Sequence, residues 1–334
     1  MAVKKIINSP DDVVIETAEG FIAAYGDKYE MHPEVRGLWY RDRPETPVLI
    51  VGGGSGHEPM YSFFIGKNLP GASVAGNVFA SPDPGTIVQT AEAAEKGHGV
   101  IFMYGNYSGD CLNFDMACEM LEDMGIPCRT VRLWDDVASA PKDRVTDRRG
   151  IAGAVPIIKV SGAACSTVTD LDEAFRICCK ARDNTWSIGV GLSGGTIPGN
   201  EGPAFTLPDD EIEFGLGIHG EPGIRREKLI PADQMVDHLT GLLLADAGIG
   251  AGDTVVTYVN GLGSTTVMEL CIINRRLRAD LEAKGVRIHD MDLGSHVTCQ
   301  EMAGASISLM KMDDELIKYY DMPCESPFYT KTGR

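Results

Sequence analysis

The first half of the chain alternates short, unbroken apolar runs with longer amphipathic stretches, and this alternation constrains the fold more than any other feature. The runs "PVLIVGG" (47–53), "ASVAGNVF" (72–79), "GVIFMY" (99–104) and "CRTVRL" (128–133) are too short for helices and read as strands. Between them lie helical patterns: "SPDDVVIETAEGFIAAY" (9–25), with Ser9 expected at the N-cap, Pro10 at N1 and Asp12 at N3; "PGTIVQTAEAAEKG" (84–97), with Gly97 expected as C-cap; and "DCLNFDMACEMLEDMG" (110–125). Such a succession predicts an α/β fold, a sheet flanked by helices.

A Gly/Pro-rich passage over 183–205 interrupts the pattern, and 334 residues are enough for two cores. The expectation is two α/β domains, residues 1–185 and 186–334, each a sheet flanked by helices, with fewer strands in the second. In the second domain a helix is expected near 232–247 and another over about 265–284, with strands at "TVVTYVN" and "VRIHDMD". The string "GVGLSG" (189–194) matches a dinucleotide fingerprint, but Pro198 and Pro203 follow where that motif requires a helix. We reject it.

Charge excludes two classes of partner. With 48 acidic against 30 basic residues, net −18, the chain lacks the basic surface needed for nucleic acid or an anionic membrane. It has no apolar run of about 20 residues, and "MAVKKIINSPDD" lacks the apolar core of a signal peptide, so a cytoplasmic location is expected. Nine cysteines without a C-x-x-C read as reduced thiols, and the seven histidines show no metal-ligand spacing.

Three segments carry chemistry. "VGGGSGHEPM" (51–60) follows a strand, where glycines let backbone N–H groups approach a small polar ligand and His57 can exchange a proton. A strand-to-helix turn with a capping histidine is the structural alternative. "YGNYSGD" (104–110) ends another strand; Asp110 would share a mouth with His57 if both strands lie in one sheet, or else cap the helix that follows. "GLGIHGEPG" (215–223) presents His219 between glycines on a stiff loop, as an exposed imidazole fit to be nucleophile, base or metal ligand.

In that order and at these separations, "GGGSGHEP", "NYSGD…NF" and "FGLGIHGEPG" resemble the K subunit of dihydroxyacetone kinases, over roughly residues 3–325. The resemblance implies that His219 attacks the carbonyl of a short ketose to form a hemiaminal, and that His57 and Asp110 contact hydroxyls and assist proton transfer. Gly54, Ser55, Gly56 and Ser81 would line the site, with Gly105 and Asn106 beside the substrate. It further implies that this chain holds no cofactor. A separate L subunit would carry Mg-ADP or Mg-ATP, in some members recharged by a phosphotransferase M subunit, and the K subunit would be a homodimer. Some relatives bind the ketose and act as transcriptional co-activators instead, but the presence of both His57 and Asp110 favours the kinase. One departure stands out: Gly105 occupies a position that is lysine in familiar members. With that side chain missing, either dihydroxyacetone is held differently or the space left empty takes a larger ketose such as erythrulose.

Overall fold

The computed structural model describes residues 4–334. In chain order its elements are α1 (Val13–Tyr25), β1 (Tyr29–Met31), β2 (Gly37–Tyr40), β3 (Val48–Ser55), β4 (Ala72–Val78), α2 (Pro84–Ala94), β5 (Val100–Gly105), α3 (Ser108–Asp123) and β6 (Cys128–Leu133). There follow α4 (Ala154–Cys165), α5 (Leu171–Asp183), β7 (Thr185–Ser193), β8 (Glu211–Phe214), β9 (Arg225–Lys228), α6 (Ala232–Ala247), β10 (Thr254–Gly261), α7 (Val267–Ala283), β11 (Arg287–Gly294), β12 (Ala303–Lys311) and α8 (Asp314–Tyr320). Both α/β expectations hold, but the units are not two consecutive halves. One compact unit comprises Lys4–Leu133, Ile157–Ala181 and Leu316–Arg334; the other comprises Trp134–Pro156 and Arg182–Glu315.

The first unit is built on a six-stranded sheet ordered β1-β2-β4-β3-β5-β6. Strands β4, β3, β5 and β6 run parallel, and β2 and β1 add antiparallel at one edge. Ile50, Val51 and the whole of Val100–Tyr104 are shielded from water, as expected for central parallel strands covered on both faces. One face packs on α2 and α3 through Ile87, Val88, Ala91, Phe114, Ala117 and Leu121. The returning C-terminal segment is fastened by aromatic contacts: Phe328 lies 5.8 Å from Phe63, and Tyr329 stacks on Phe64 at 4.8 Å between centroids.

Two helix boundaries differ from expectation. Helix α1 starts at Val13, because Ser9 Oγ accepts the N–H of Asp11 and closes a separate turn before it. Helix α2 is capped by Asp83, which accepts the Thr86 N–H at 3.0 Å, and it ends at Ala94. Glu95 is extended and its carboxylate takes the N–H groups of His98 and Gly99, so Gly97 lies beyond the helix rather than capping it.

The second unit also has six strands, ordered β11-β10-β12-β7-β8-β9, which corrects the expectation of a smaller sheet. The Gly/Pro-rich passage opens with β7, a strand buried from Ser187 to Gly191 that pairs with β12 and, at its end, with β8. Its glycine-rich composition hides it: Gly191 lies against Leu216, where a Cβ would come within 2.3 Å of that side chain. The "GVGLSG" string thus belongs to a strand, in agreement with its rejection as a dinucleotide motif. Helices α6 and α7 cover this sheet with Val236, Leu239, Leu243, Leu270, Ile273, Leu277 and Leu281. A capping box between Thr266 and Glu269 starts α7. Residues 134–156 join this unit because Asp135 accepts the N–H groups of Ile151 and Gly153, while the Ser187 N–H donates to the Asp135 carbonyl at 2.7 Å.

Candidate active site

In the first unit the predicted residues gather along one edge of the sheet. Strands β4, β3 and β5 are parallel neighbours, so the loops that follow them emerge together, bringing Ser81, the Gly54–His57 turn and Asn106–Asp110 to the same edge. The chain leaves β3 toward β4 on one side and leaves β5 toward β6 on the other. Adjacent strands whose connections part in this way open a crevice at their carboxyl ends, the usual ligand position in open α/β sheets.

The glycine turn is tightly held. Ser55 Oγ donates to the Gly76 carbonyl at 2.8 Å, and the Phe79 N–H donates to the Ser55 carbonyl at 2.9 Å. Gly54 faces the backbone of Phe79 and Ala80, where a Cβ would lie 2.7 Å from the Ala80 nitrogen. At Gly56 φ is +100°, and its N–H donates to both carboxylate oxygens of Glu58 at 3.1 and 2.9 Å. Burial pushes the Glu58 carboxyl up, against the pull of these hydrogen bonds. His57 is almost wholly buried and its ring lies 5.0 Å from that of Phe79. Glu58, unassigned from the sequence, therefore shapes the turn that presents His57.

Asp110 is the third residue of α3, not its cap: Tyr107 holds the N-cap position. A carboxylate there faces the positive end of the helix dipole, and Asp110 is buried. Gly109 brings this first turn beside Ser81, with 3.6 Å between a Cβ built there and that of Ser81. The Asn106 N–H donates to the Leu133 carbonyl at 2.9 Å, and Asn106 Oδ1 accepts from Cys111 Sγ at 3.3 Å. Gly105 corrects the expectation of vacant space. A Cβ there would meet two carbons of the Tyr107 ring at 2.9 Å and Tyr61 Oη at 3.4 Å, so an aromatic ring occupies the room that the missing side chain leaves.

In the second unit His219 sits in the connection between β8 and β9, closed at its base by the Ile224 N–H donating to the Phe214 carbonyl at 2.8 Å. The loop is stiff, as expected: the Gly217 N–H reaches the Glu221 carbonyl at 2.9 Å, and the Gly223 N–H reaches Glu213 at 2.7 Å. The imidazole is less exposed than expected, with about 26% of the side chain accessible. Glu221 was not singled out from the sequence. Its carboxylate accepts the His219 N–H at 3.0 Å and lies 3.4 Å from His219 Nδ1. Arg149 approaches the same carboxylate at 3.9 Å and is itself bound to Asp136 at 2.8 Å. The nearest sequence signal for Glu221 was its place two residues after the histidine in a glycine-flanked turn.

These are two α/β units, one presenting strand-end loops with a buried imidazole and carboxylate, the other a histidine on a tight loop backed by a glutamate. The chain matches the Dak1 domain over residues 19–328 and belongs to that family. It is 40% identical to the "PTS-dependent dihydroxyacetone kinase 2, dihydroxyacetone-binding subunit DhaK" of Listeria innocua serovar 6a, covering 98% of this chain and 99% of that one. It is 36% identical to the "L-erythrulose kinase" of Pectobacterium atrosepticum over 98% of its own length, and spans 56% of that longer protein. Two solved structures are similar. The "dihydroxyacetone kinase from C. freundii in complex with AMP-PNP and Mg2+" superposes with a TM-score of 0.89 at 30% identity, covering 100% of this chain and 62% of that one. The "Dihydroxyacetone kinase operon co-activator Dha-DhaQ" gives 0.87 at 29% identity, with 92% and 96% covered. No helix among the described residues is long and apolar enough to cross a membrane.

Proposed function

We propose that the chain is the ketose-binding subunit of a dihydroxyacetone-type kinase. It holds dihydroxyacetone or a related short ketose such as erythrulose as a hemiaminal and presents it for phosphorylation. The observation that carries this reading is the likeness to a dihydroxyacetone-binding subunit over 98% of this chain and 99% of that one. Support for the assigned roles comes from His57 and Asp110 just beyond the ends of neighbouring parallel strands and from His219 beside an anionic partner. In this reading His219 is the nucleophile, and His57 and Asp110 move protons at the ligand hydroxyls. Gly54, Ser55, Gly56, Ser81, Gly105 and Asn106 line the ligand.

The chemistry favours a covalent hold. A triose is too small for contacts alone to give high affinity, because even the best tiny ligands gain only about 1.5 kcal/mol per heavy atom. Glycerol shows nearly the same hydroxyls in nearly the same volume. Reversible addition to a carbonyl separates a ketose from every polyol without one.

The phosphoryl group comes from Mg-ATP on a separate L subunit; where the nucleotide stays bound as Mg-ADP, a phosphotransferase M subunit recharges it. The names of the relatives favour both a separate subunit and a phosphotransferase-dependent supply. We place the assembly in the cytoplasm, with this chain as a homodimer. Likeness to the co-activator structure supports a second reading, ketose binding without phosphorylation. Phosphoryl transfer to dihydroxyacetone and to erythrulose, measured with purified L subunit and MgATP, decides between them. Phosphorylated product is expected; ketose binding without product would favour the co-activator.

A further inference from the structure

His219 and Glu221 are tied at two points, backbone N–H to Oε2 at 3.0 Å and Nδ1 to Oε1 at 3.4 Å. Behind them Arg149 spans from Glu221 to Asp136, where Nη2 and Nε lie 2.8 and 3.1 Å from Oδ2, and also donates to the Gly215 carbonyl at 3.2 Å. Burial pushes the Glu221 carboxyl up, but the hydrogen bond from His219, the charge that ring carries once protonated, and Arg149 outweigh it and hold the carboxyl at about 2. Glu221 is therefore a carboxylate at neutral pH, and a carboxylate only accepts hydrogen bonds. The ring nitrogen that faces it must carry the proton. A neutral imidazole has one N–H, so its lone pair then resides on the other nitrogen, Nε2.

We propose that Glu221 is a positioning residue that fixes His219 as its Nδ1–H tautomer, making Nε2 the attacking nitrogen, and that Arg149, seated on Asp136, holds Glu221 in place. The inference rests on the ketose reading above. In the covalent step the Nε2–C bond forms as the carbonyl π bond breaks, and its electron pair moves to oxygen. The oxygen takes up one proton and the ring releases its Nδ1 proton to solvent, so the adduct is neutral and no proton is consumed overall. Between these events the ring is cationic, and the carboxylate beside it lowers the energy of that state. The 3.4 Å contact is longer than a relaxed hydrogen bond and shortens as the ring gains charge.

The test uses the full chain labelled with 15N-histidine, compared with Glu221→Gln, Glu221→Asp and Arg149→Met. The Gln side chain can donate to Nδ1 as readily as accept from it, so it no longer selects a tautomer. In the unliganded wild type the His219 proton is expected on Nδ1, and in Glu221→Gln a share of it moves to Nε2. The concentration of dihydroxyacetone giving half-maximal adduct, read by intact mass, is expected to rise about 10- to 100-fold in Glu221→Gln, with partial recovery in Glu221→Asp and a smaller rise in Arg149→Met. A wild-type proton on Nε2, or unchanged adduct formation in Glu221→Gln, overturns the proposal. Should Glu221→Gln not fold, the wild-type tautomer and the Asp variant still decide it. If the wild type forms no adduct at all, the ketose reading falls, while the tautomer spectra continue to judge Glu221 on their own.

Discussion

The ring of Tyr107 packs against the α-carbon of Gly105, so closely that a Cβ there would lie 2.9 Å from two ring carbons. Gly105 is a seat for an aromatic side chain, and Tyr61, near both Gly105 and Gly53, lies beside the same place. Substrate preference at this corner is therefore a matter of where Tyr107 can go.

Gly105→Lys is expected to lower kcat/KM for dihydroxyacetone and erythrulose together by about tenfold or more, because the new side chain must first displace the ring. The scale is that of one small group's misfit in a pocket. Combined with Tyr107→Ala, the lysine gains room, and activity toward the triose should recover more than activity toward the tetrose. Steady-state rates on both ketoses check this. A single variant with full activity would show that the ring moves aside freely.

His219→Ala should abolish the mass increment of a bound ketose on the intact protein. The remaining candidates, His57 and Asp110, are assigned to proton transfer and not to attack. An increment that survives in the variant would reassign the nucleophile.

His57→Ala and Asp110→Ala should each leave the ketose adduct detectable while lowering turnover. General acid–base contributions are typically about 100- to 10,000-fold, or roughly 3 to 5 kcal/mol of barrier. Adduct occupancy by mass, set against turnover with the partner subunit, separates the two effects. Losses under tenfold in both variants would withdraw the proton-transfer roles.

Glu221 also predicts a stability profile. Its carboxyl is held at about 2 in the folded protein, against about 4.3 for an unperturbed glutamate in the unfolded chain. A depressed carboxyl contributes stability that is fully present above the unfolded value and is lost as pH falls through the folded one. Glu221→Gln should therefore flatten the decline in stability between about pH 4.5 and 2, as measured by urea unfolding at stepped pH. An unchanged slope would mean that the carboxyl is not depressed.

Much of the first sheet was legible because β3, β4, β5 and β6 are compact apolar runs whose neighbours are amphipathic. That legibility extended to the site, since recognising β3 and β5 as strands of one sheet was enough to bring His57 and Asp110 to one edge. Strand β7 was not legible. Its glycines, among them Gly189 and Gly191, read locally as loop, while the pressure that keeps them small comes from Leu216 and β12 across the sheet. Glu221 and Tyr107 escaped for the same reason: one acts through a turn that folds back on His219, the other through a ring lying over its neighbour's α-carbon. Both are contacts that spacing alone does not encode.

Because the first unit holds Lys4–Leu133 and also Leu316–Arg334, its aromatic closure by Phe328 and Tyr329 waits until the second unit has been synthesised. Domains emerging from the ribosome generally fold as units, N-terminal first. Here the unit begun first can be completed only after the other has been translated in full. Until then the exposed faces of Phe63 and Phe64 have no cover from that segment, so a ribosome stalled shortly before residue 316 would hold the sticky half of the protein open. Chaperone demand should peak before residues 316–334 have emerged, and a stop codon placed just ahead of residue 316 should behave as a folding defect of the sheet that carries His57.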